Sequence, residues 1–365
     1  MHDLAVLIGN LGSDRYLADC LRSLKDEDAA DFSWRLHLAF NGFEDTGFVA
    51  RIAAEFPDAR SFYRRSKLGY TGTYNRLLAQ TDACYVLLLD DDTLVPKGTL
   101  PAMVAFMDAH PEVGIAGCRT LNPDGSLQRT FGRMLTLHAE LLHAMHLSTY
   151  WPDHFYRDLE RWREVDWLNG SFMLVRRETL EAVGGLDEYY YTFCCEPDWC
   201  LRIARAGWKV AFVPDVAITH VGGDHIINMQ VKSFDALMRA HINHYYFFRK
   251  HYGLLAQILL RPILSTGAVL RLLKFLSLLL FAPARRAEAA PKVRAYIRIA
   301  LLGLMPRPWR LTTELARQNA ARKKNMPAEI SPKTLGWCSH LRAIKPPAMP
   351  TTSMIKICSR SKFRV

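Results

Sequence analysis

Between residues 4 and 117, five short β-rich runs alternate with stretches whose apolar residues recur near the helical period. The runs are Leu4–Gly9, Trp34–Phe40, Arg60–Arg64, Tyr85–Leu89 and Val113–Gly117, and one intervening helical set is Tyr16, Leu17, Cys20, Leu21 and Leu24. Strand and helix alternating at this spacing predict an α/β fold built on a doubly wound, mostly parallel, Rossmann-like sheet. Ligands of such sheets bind beyond the carboxyl ends of the strands. Two further strand candidates, Trp167–Arg176 and Lys209–Val213, bracket a helix predicted at about Asp198–Ala206, and Val216–His220 reads as one more strand.

A chain of 365 residues supports one main core of roughly 200–250 residues with appendages. The net charge of +11 is unevenly placed. From Pro283 onward there are 18 Lys and Arg against three acidic residues, so residues 1–282 are mildly acidic. A nucleic-acid reader carries its positive charge over the recognition face, so this distribution argues against nucleic acid and for an enzyme held near anionic lipid. The eight cysteines form no CxxC pair, which speaks against a structural zinc site and a disulfide framework. The opening MHDLAVLIGN has neither the basic start nor the apolar length of a secretory signal, and the expectation is a cytoplasmic protein, peripheral on the inner face of the cell membrane.

Three regions are expected: a catalytic domain over 1–225, a helical, membrane-surface-associating segment over 226–282, and a basic, partly disordered tail over 283–365. Phe234–His251 reads as a polar-aromatic helix. Leu254–Phe281 is strongly apolar but interrupted by Arg261, Pro262, Arg271 and Lys274, so no uncharged stretch reaches the roughly 18–20 residues of a spanning helix. Gly267, Arg271, Lys274 and Ser277 follow at helical steps as a weakly polar stripe, a pattern that favours lying in the membrane interface. A helix pair capping the domain's own core is the alternative.

The chemistry concentrates at Tyr85-Val-Leu-Leu-Leu-Asp-Asp-Asp, where a buried strand ends in Asp90, Asp91 and Asp92. Three adjacent anions repel one another unless a cation sits among them. Side chains alternate along an extended backbone, so Asp90 and Asp92 can face one divalent ion, and hard oxygen ligands suit Mg²⁺ or Mn²⁺. A solvated acidic turn ending the strand is the plain alternative.

Three further segments accompany this block in order: Lys67-Leu-Gly-Tyr-Thr-Gly-Thr-Tyr-Asn-Arg, Val165-Asp-Trp-Leu-Asn-Gly-Ser-Phe-Met-Leu-Val-Arg-Arg, and Val183-Gly-Gly-Leu-Asp-Glu leading to Glu196-Pro-Asp-Trp-Cys-Leu-Arg. Over about residues 4–225 the set resembles family 2 glycosyltransferases of the GT-A fold, including bacterial rhamnosyltransferase-like members. The resemblance implies an inverting transfer of a sugar from a nucleoside-diphosphate sugar to the hydroxyl of a glycan or lipid-linked acceptor, in polysaccharide biosynthesis. It makes the triplet the family's Asp-x-Asp element, with Asp90 and Asp92 as metal ligands, Asp90 and Asp91 on the donor, and Gly69 and Asn75 in the helix start near the nucleotide. Glu196 falls where the family carries its base Asp, Cys195 where an acid precedes it, and Asp198 is the reserve base. His220, in Ile218-Thr-His-Val-Gly-Gly, matches a His near the metal or diphosphate. Base recognition is least defined: Asn10, Asn41 and Arg65 are candidates, and Phe40 stands where the family often has Asp. As ordinary residues the two Asn would be turn formers, Glu196 and Asp198 first-turn acids of a helix, and His220 a hydrogen-bonded strand end.

Other classes fit less well. A sugar-nucleotide pyrophosphorylase needs a basic Gly-rich loop after the first strand, and a Rossmann dehydrogenase needs GxGxxG there; Gly9-Asn-Leu-Gly-Ser-Asp supplies neither. A non-enzymatic alternative is a catalytically degenerate, membrane-attached sugar-nucleotide-binding protein, motivated by Cys195 and Phe40.

Overall fold

A computed structural model of the chain describes residues 3–10, 16–25, 27, 32–42, 46–64, 68–147, 160–222, 234–282, 285–305 and 308. Strands β1 (Leu4–Asn10), β2 (Trp34–Asn41), β3 (Arg60–Arg64) and β4 (Tyr85–Leu89) form the parallel half of a nine-stranded sheet, in the order β3-β2-β1-β4. The remaining strands are β5 (Thr93–Leu94), β6 (Val113–Leu121), β7 (Phe131–Gly132), β8 (Arg163–Glu164), β9 (Trp167–Leu168), β10 (Phe172–Arg176) and β11 (Lys209–His220). The sheet continues from β4 as β10-β6-β11-β5, with β8 on β11, while β7 and β9 pair separately.

The run Trp167–Arg176 is thus two strands, broken at Asn169–Ser171, and β10 enters the sheet antiparallel between β4 and β6. Lys209–Val213 and Val216–His220 are one strand, and its pairing with β6 shifts register between Val213 and Ala217. Pro214 lies in that irregularity, where a residue without an N–H does least harm to the ladder.

Both faces of the sheet's centre are covered, which explains why β1 and β4 read as apolar runs. Leu4, Val6 and Ile8 belong to one core layer with Tyr85, Leu87 and Leu89; Ala5 and Leu7 belong to the other with Val86 and Leu88. Helices α1 (Leu17–Ser23), α2 (Thr46–Glu55) and α4 (Thr99–Ala109) cover the first layer through Leu21, Ile52 and Met103. Helices α3 (Gly69–Leu78), α6 (Arg177–Val183) and α7 (Cys195–Arg205) cover the second through Leu77, Leu180 and Trp199.

The second layer continues into helices α5 (Leu137–Ala144), α8 (Phe234–His251), α9 (Gly253–Phe281) and α10 (Arg286–Leu302). The tail expected from Pro283 therefore opens as a helix packed on α9: Phe275 stacks on Tyr296 with ring centroids 5.7 Å apart. The disorder expected for the last forty residues falls outside the described residues. Helix α9 runs straight through Pro262, and its 29 residues are long and apolar enough to cross a membrane by length and composition. The expected polar stripe divides. Gly267 is buried so close to α5 that a Cβ there would lie 2.9 Å from that of Ala144, and Arg271 donates 3.1 Å to the His143 carbonyl, capping the end of α5. Lys274 and Ser277 face outward among exposed Leu255, Leu273, Leu276, Leu280 and Phe281.

Candidate active site

The apolar run of β4 ends at the sheet's carboxyl edge, and Asp90 follows with its N–H on the Ser171 carbonyl. The short β5 then pairs with the last residues of β11, setting Thr93 against His220. This pairing places Asp92 beside His220: Asp92 Oδ1 lies 3.0 Å and Asp90 Oδ2 3.9 Å from His220 Nε2. One ligand atom from each of the three residues falls within 4.8 Å of the others. The Val221 N–H holds the Asp92 carbonyl at 2.9 Å, and a Cβ at Gly222 would collide with the Asp92 carboxylate, so the glycine is needed for close approach.

Gln128 decides the state of the His220 ring. Its Nε2 donates 2.7 Å to the His220 carbonyl, which can only accept, so its Oε1 is the atom 3.0 Å from Nδ1. Nδ1 therefore carries a proton, and in the neutral ring the lone pair sits on Nε2, facing the two carboxylates. Sequence reasoning missed Gln128. Its signal is the turn sequence Asn122-Pro-Asp-Gly-Ser126, which folds the chain back and returns the Gln128 N–H to the Thr120 carbonyl on β6, beside β11.

Burial and the neighbouring Asp92 push Asp90 well above the ordinary carboxylate range, and the same causes bring Asp91 to about 7. Burial works against protonation of His220, but the Asp92 hydrogen bond and the surrounding carboxylates hold its pKa above the usual imidazole value. Three carboxylates and one imidazole crowded in this way fit a divalent cation, which would replace the protons that relieve the crowding. Two carboxylate oxygens and one imidazole nitrogen are a donor set that a divalent cation accepts.

Asn10, at the end of β1, donates 2.5 Å to Asp91, so these two expected donor residues lie together. Asn41, Gly69 and Asn75 are occupied differently. Both amide atoms of Asn41 are used internally, on Thr73 Oγ1 at 2.6 Å and the Leu68 N–H at 3.0 Å. Asn75 clasps the Val183-Gly-Gly-Leu-Asp-Glu turn through the Leu186 N–H and carbonyl, and Gly69, at φ +78°, lies flat against the Tyr191 ring. The side-chain amides of Asn41 and Asn75 are thus engaged by protein partners around α3. Arg65 lies outside the described residues. Phe40 is buried in the core layer against α1 and α2, not turned toward the cleft.

Glu196 stands in the first turn of α7, which begins three residues earlier than the sequence suggests. A Cβ built on Gly170 would lie 3.1 Å from Glu196 Oε1 and 2.8 Å from the Tyr70 hydroxyl, so Gly170 leaves room for both oxygens. Tyr70, also missed from sequence, donates 3.2 Å to the Gly170 carbonyl and feels the charges of both Asp90 and Glu196. The Glu196 charge also contributes to raising Asp90, so Glu196 lies within electrostatic reach of the triplet. Burial raises the Glu196 pKa, partly offset by backbone hydrogen bonding and by the Cys195 thiol, which donates 3.3 Å to Oε2.

Asp198 points elsewhere. Its buried carboxylate binds Arg202 Nε at 2.9 Å, Lys250 Nζ at 2.6 Å and His251 Nε2 at 2.7 Å. Burial opposes ionisation, but His251 and Lys250 outweigh it and hold the pKa at about 2. Such a carboxylate ties α8 to α7 and is too acidic and too enclosed to take a proton from a substrate, which removes it as the reserve base.

Residues 2–246 match the model of glycosyltransferase-like family 2. The chain belongs to this family. Its class is the one expected from the sequence, and its sheet, with an acidic cluster at the carboxyl edge, is the expected GT-A architecture. Over 201 residues the chain is 29% identical to an N-acetylglucosaminyl-diphospho-decaprenol L-rhamnosyltransferase of Mycobacterium tuberculosis, covering 50% of this chain and 65% of that one. Over 56 residues, 15% of this chain and 21% of the relative, it is 43% identical to rhamnosyltransferase WbbL of Escherichia coli. The chain thus spans less than two thirds of these relatives' length. A mannosyltransferase from Pyrobaculum calidifontis, solved with GDP-mannose and Mn²⁺, shares the fold at a TM-score of 0.51 and 17% identity, over 83% of this chain and 87% of that one.

Proposed function

We propose that this family 2 member is an inverting, metal-dependent glycosyltransferase that moves a sugar from a nucleoside-diphosphate sugar to an acceptor hydroxyl. The observation that carries the reading is the grouping of Asp90, Asp92 and His220 at the carboxyl edge of the sheet, with Glu196 within electrostatic reach of Asp90. L-Rhamnose as the sugar, and a lipid-diphosphate-linked glycan as the acceptor, follow from what the mycobacterial relative is named for.

Asp92, Asp90 and His220 would hold the cation, with Gln128 keeping the Nε2 lone pair turned toward it. Mn²⁺ or Mg²⁺ bound there supplies positive charge to a departing diphosphate. Asp91 and Asn10 border the donor side. Glu196 takes the proton from the acceptor oxygen as that oxygen attacks the anomeric carbon, and its raised pKa moves it toward the range of an effective base. The Tyr70 hydroxyl and Gly170 shape the space in front of Glu196.

The exposed leucines of α9, with Arg286, Arg294 and Arg298 exposed on α10, suit an anionic membrane surface on which a lipid-linked acceptor would be met. We place the protein at the inner face of the cell membrane. Retention of the full chain on anionic vesicles at low salt, and its release by a basic-to-neutral change at these arginines, tests that placement; a chain that stays in solution overturns it.

The central test is a thermal-shift screen of nucleoside diphosphates with and without Mn²⁺, followed by transfer from nucleoside diphospho-L-rhamnoses to N-acetylglucosaminyl-diphospho-decaprenol. Metal-dependent stabilisation by a nucleotide, with transfer, is the expected result. The Cys195 thiol on Glu196 favours one second reading, a binding protein without turnover. Tight metal-dependent nucleotide binding with neither transfer nor donor hydrolysis would establish that reading instead.

A further inference from the structure

Two consecutive residues before Glu196 adopt a backbone that side chains disfavour. Phe193 and Cys194 have φ of 62° and 61°, in the left-handed region, and neither is glycine. Among the described residues the only other non-glycine at positive φ is His146. Strained backbone of this kind persists where the surroundings over-determine it, and it concentrates at functional sites.

The surroundings here can be named carbonyl by carbonyl. Thr71 Oγ1 donates to the Tyr190 carbonyl at 2.6 Å, and the Tyr70 N–H to that of Tyr191 at 2.9 Å. Asn243 of α8 takes the next two: its Nδ2 donates 2.6 Å to the Thr192 carbonyl and 3.0 Å to the Phe193 carbonyl. The Cys194 carbonyl receives the Asp198 N–H at 3.1 Å, the bond that starts α7. Next to Asn243, His244 pairs with Glu140 at 3.2 Å and hydrogen-bonds the Cys194 thiol. One amide group, 1% exposed, thus holds both peptide oxygens leading into the left-handed pair.

We infer that Asn243 is a positioning residue for the transfer reaction: by holding the Thr192 and Phe193 carbonyls it maintains the left-handed turn that aims Glu196 into the cleft. The inference rests on Glu196 being the base. The hydrogen bonds of the Asn243 amide go to the turn and not to the triplet or Glu196, so its effect passes through the turn. Misplacing a catalytic group by about 1 Å can cost on the order of 10²-fold in rate. Glycine at position 193 would adopt the left-handed backbone without penalty and lessen the need for the clamp.

The test uses the full chain with Mn²⁺, nucleoside diphospho-L-rhamnose and N-acetylglucosaminyl-diphospho-decaprenol. Asn243→Ala should lower kcat by about 10- to 100-fold while donor KM and Mn²⁺ affinity, read by EPR of free Mn²⁺, stay within about twofold. Adding Phe193→Gly should recover most of the lost kcat, which a general loss of packing would not allow. In a Glu196→Gln background Asn243→Ala should cost nothing more, because the group it aims is gone. An Asn243→Ala enzyme with kcat within about twofold of wild type, or one whose loss multiplies with that of Glu196→Gln, overturns the inference. Should Asn243→Ala fail to fold, the Asn243→Ala/Phe193→Gly pair decides: near-wild-type kcat supports the clamp, and a folded pair still depressed tenfold or more overturns it. If instead wild type transfers nothing, or Glu196→Gln transfers like wild type, the functional reading is what has failed.

Discussion

At one end of the cleft Asp92 and His220 stand side by side because two strands pair, whereas at the other Glu196 is delivered by a strained turn leading into a helix. The first arrangement is built by strand pairing and the backbone bonds beside it. The ladder between β5 and β11 fixes the register, Val221 ties back to Asp92, and Gln128 orients the ring from one strand away. The second draws on residues from opposite parts of the chain: Thr71 and Tyr70 from α3, Asn243, Lys250 and His251 from α8. A sheet edge can present charged ligands with little help from elsewhere, while a base carried on a helix N-terminus depends on whatever packs behind that helix. The helical segment after residue 233 is therefore part of how the end that carries Glu196 is held, besides carrying the exposed apolar residues of α9.

The comparison is broken most sharply at Glu196. Glu196→Gln keeps size and hydrogen bonding but cannot accept a proton, and the expected loss in kcat is about 10²–10⁴-fold with nucleotide binding unchanged. Steady-state transfer kinetics alongside nucleotide thermal shifts check this; wild-type turnover would remove Glu196 from its role. Asp198 is the contrasting carboxylate on the same helix. Asp198→Ala leaves Arg202 and His251 without the shared anion and Lys250 with Asp187 alone, in a site where the carboxylate is fully buried. Denaturant unfolding should show a loss of about 3–5 kcal/mol, and Asp198→Asn a smaller one, with the chemistry at Glu196 affected only through the fold. A variant inactive yet as stable as wild type would return Asp198 to the list of bases.

The centre of the sheet was legible because β1 and β4 are buried on both faces and announce themselves as apolar runs. What was not legible depended on chain pairing at a distance. Glu196 and Asp198 are indistinguishable as first-turn acids; only the approach of Lys250 and His251, some fifty residues downstream, marks one of them as structural. Asn41 and Asn75 look like ligand-binding residues in a resembling motif, yet their amides are consumed by Thr73, Leu68 and Leu186. Gln128 is marked only by the turn that precedes it, and Tyr70 carries no signature of a site beyond its place in the Lys67–Arg76 stretch. The Gly267–Arg271 stripe has the period of a surface stripe, and period alone cannot say whether solvent, lipid or α5 lies opposite.

Gln128 offers a milder perturbation of the sheet-built end. Gln128→Leu keeps bulk but frees the His220 ring to take the other tautomer, in which Nε2 holds the proton and not the lone pair. Partners that orient a metal-binding imidazole are worth about 10–100-fold in metal affinity. Mn²⁺ titration by EPR should show that loss without a matching fall in stability, and Gln128→Glu, which still accepts from Nδ1, should lie between. Unchanged affinity in Gln128→Leu would mean that the ring is oriented by the β5–β11 pairing alone.

The smallest expected effect is the pH dependence at the same end. Asp91 titrates near 7 in the folded chain against an ordinary 3.8, and Asp90 is raised as well, both through burial and the neighbouring Asp92. Between these values the folded state holds protons that the unfolded state has released, so the contribution of these groups to stability falls as pH rises from about 4 to 7. A bound cation reverses the sign, because it takes the place of the protons and is bound more tightly once they have gone. Thermal unfolding at about pH 5 and about pH 8, on either side of the Asp91 value, should therefore show a larger Mn²⁺-induced rise in Tm at the higher pH. Asp91→Asn should flatten part of the difference while leaving Asp90, Asp92 and His220 to bind. An equal rise in Tm at both pH values would show that protons and cation do not compete, and that the crowded carboxylates are relieved by some other means.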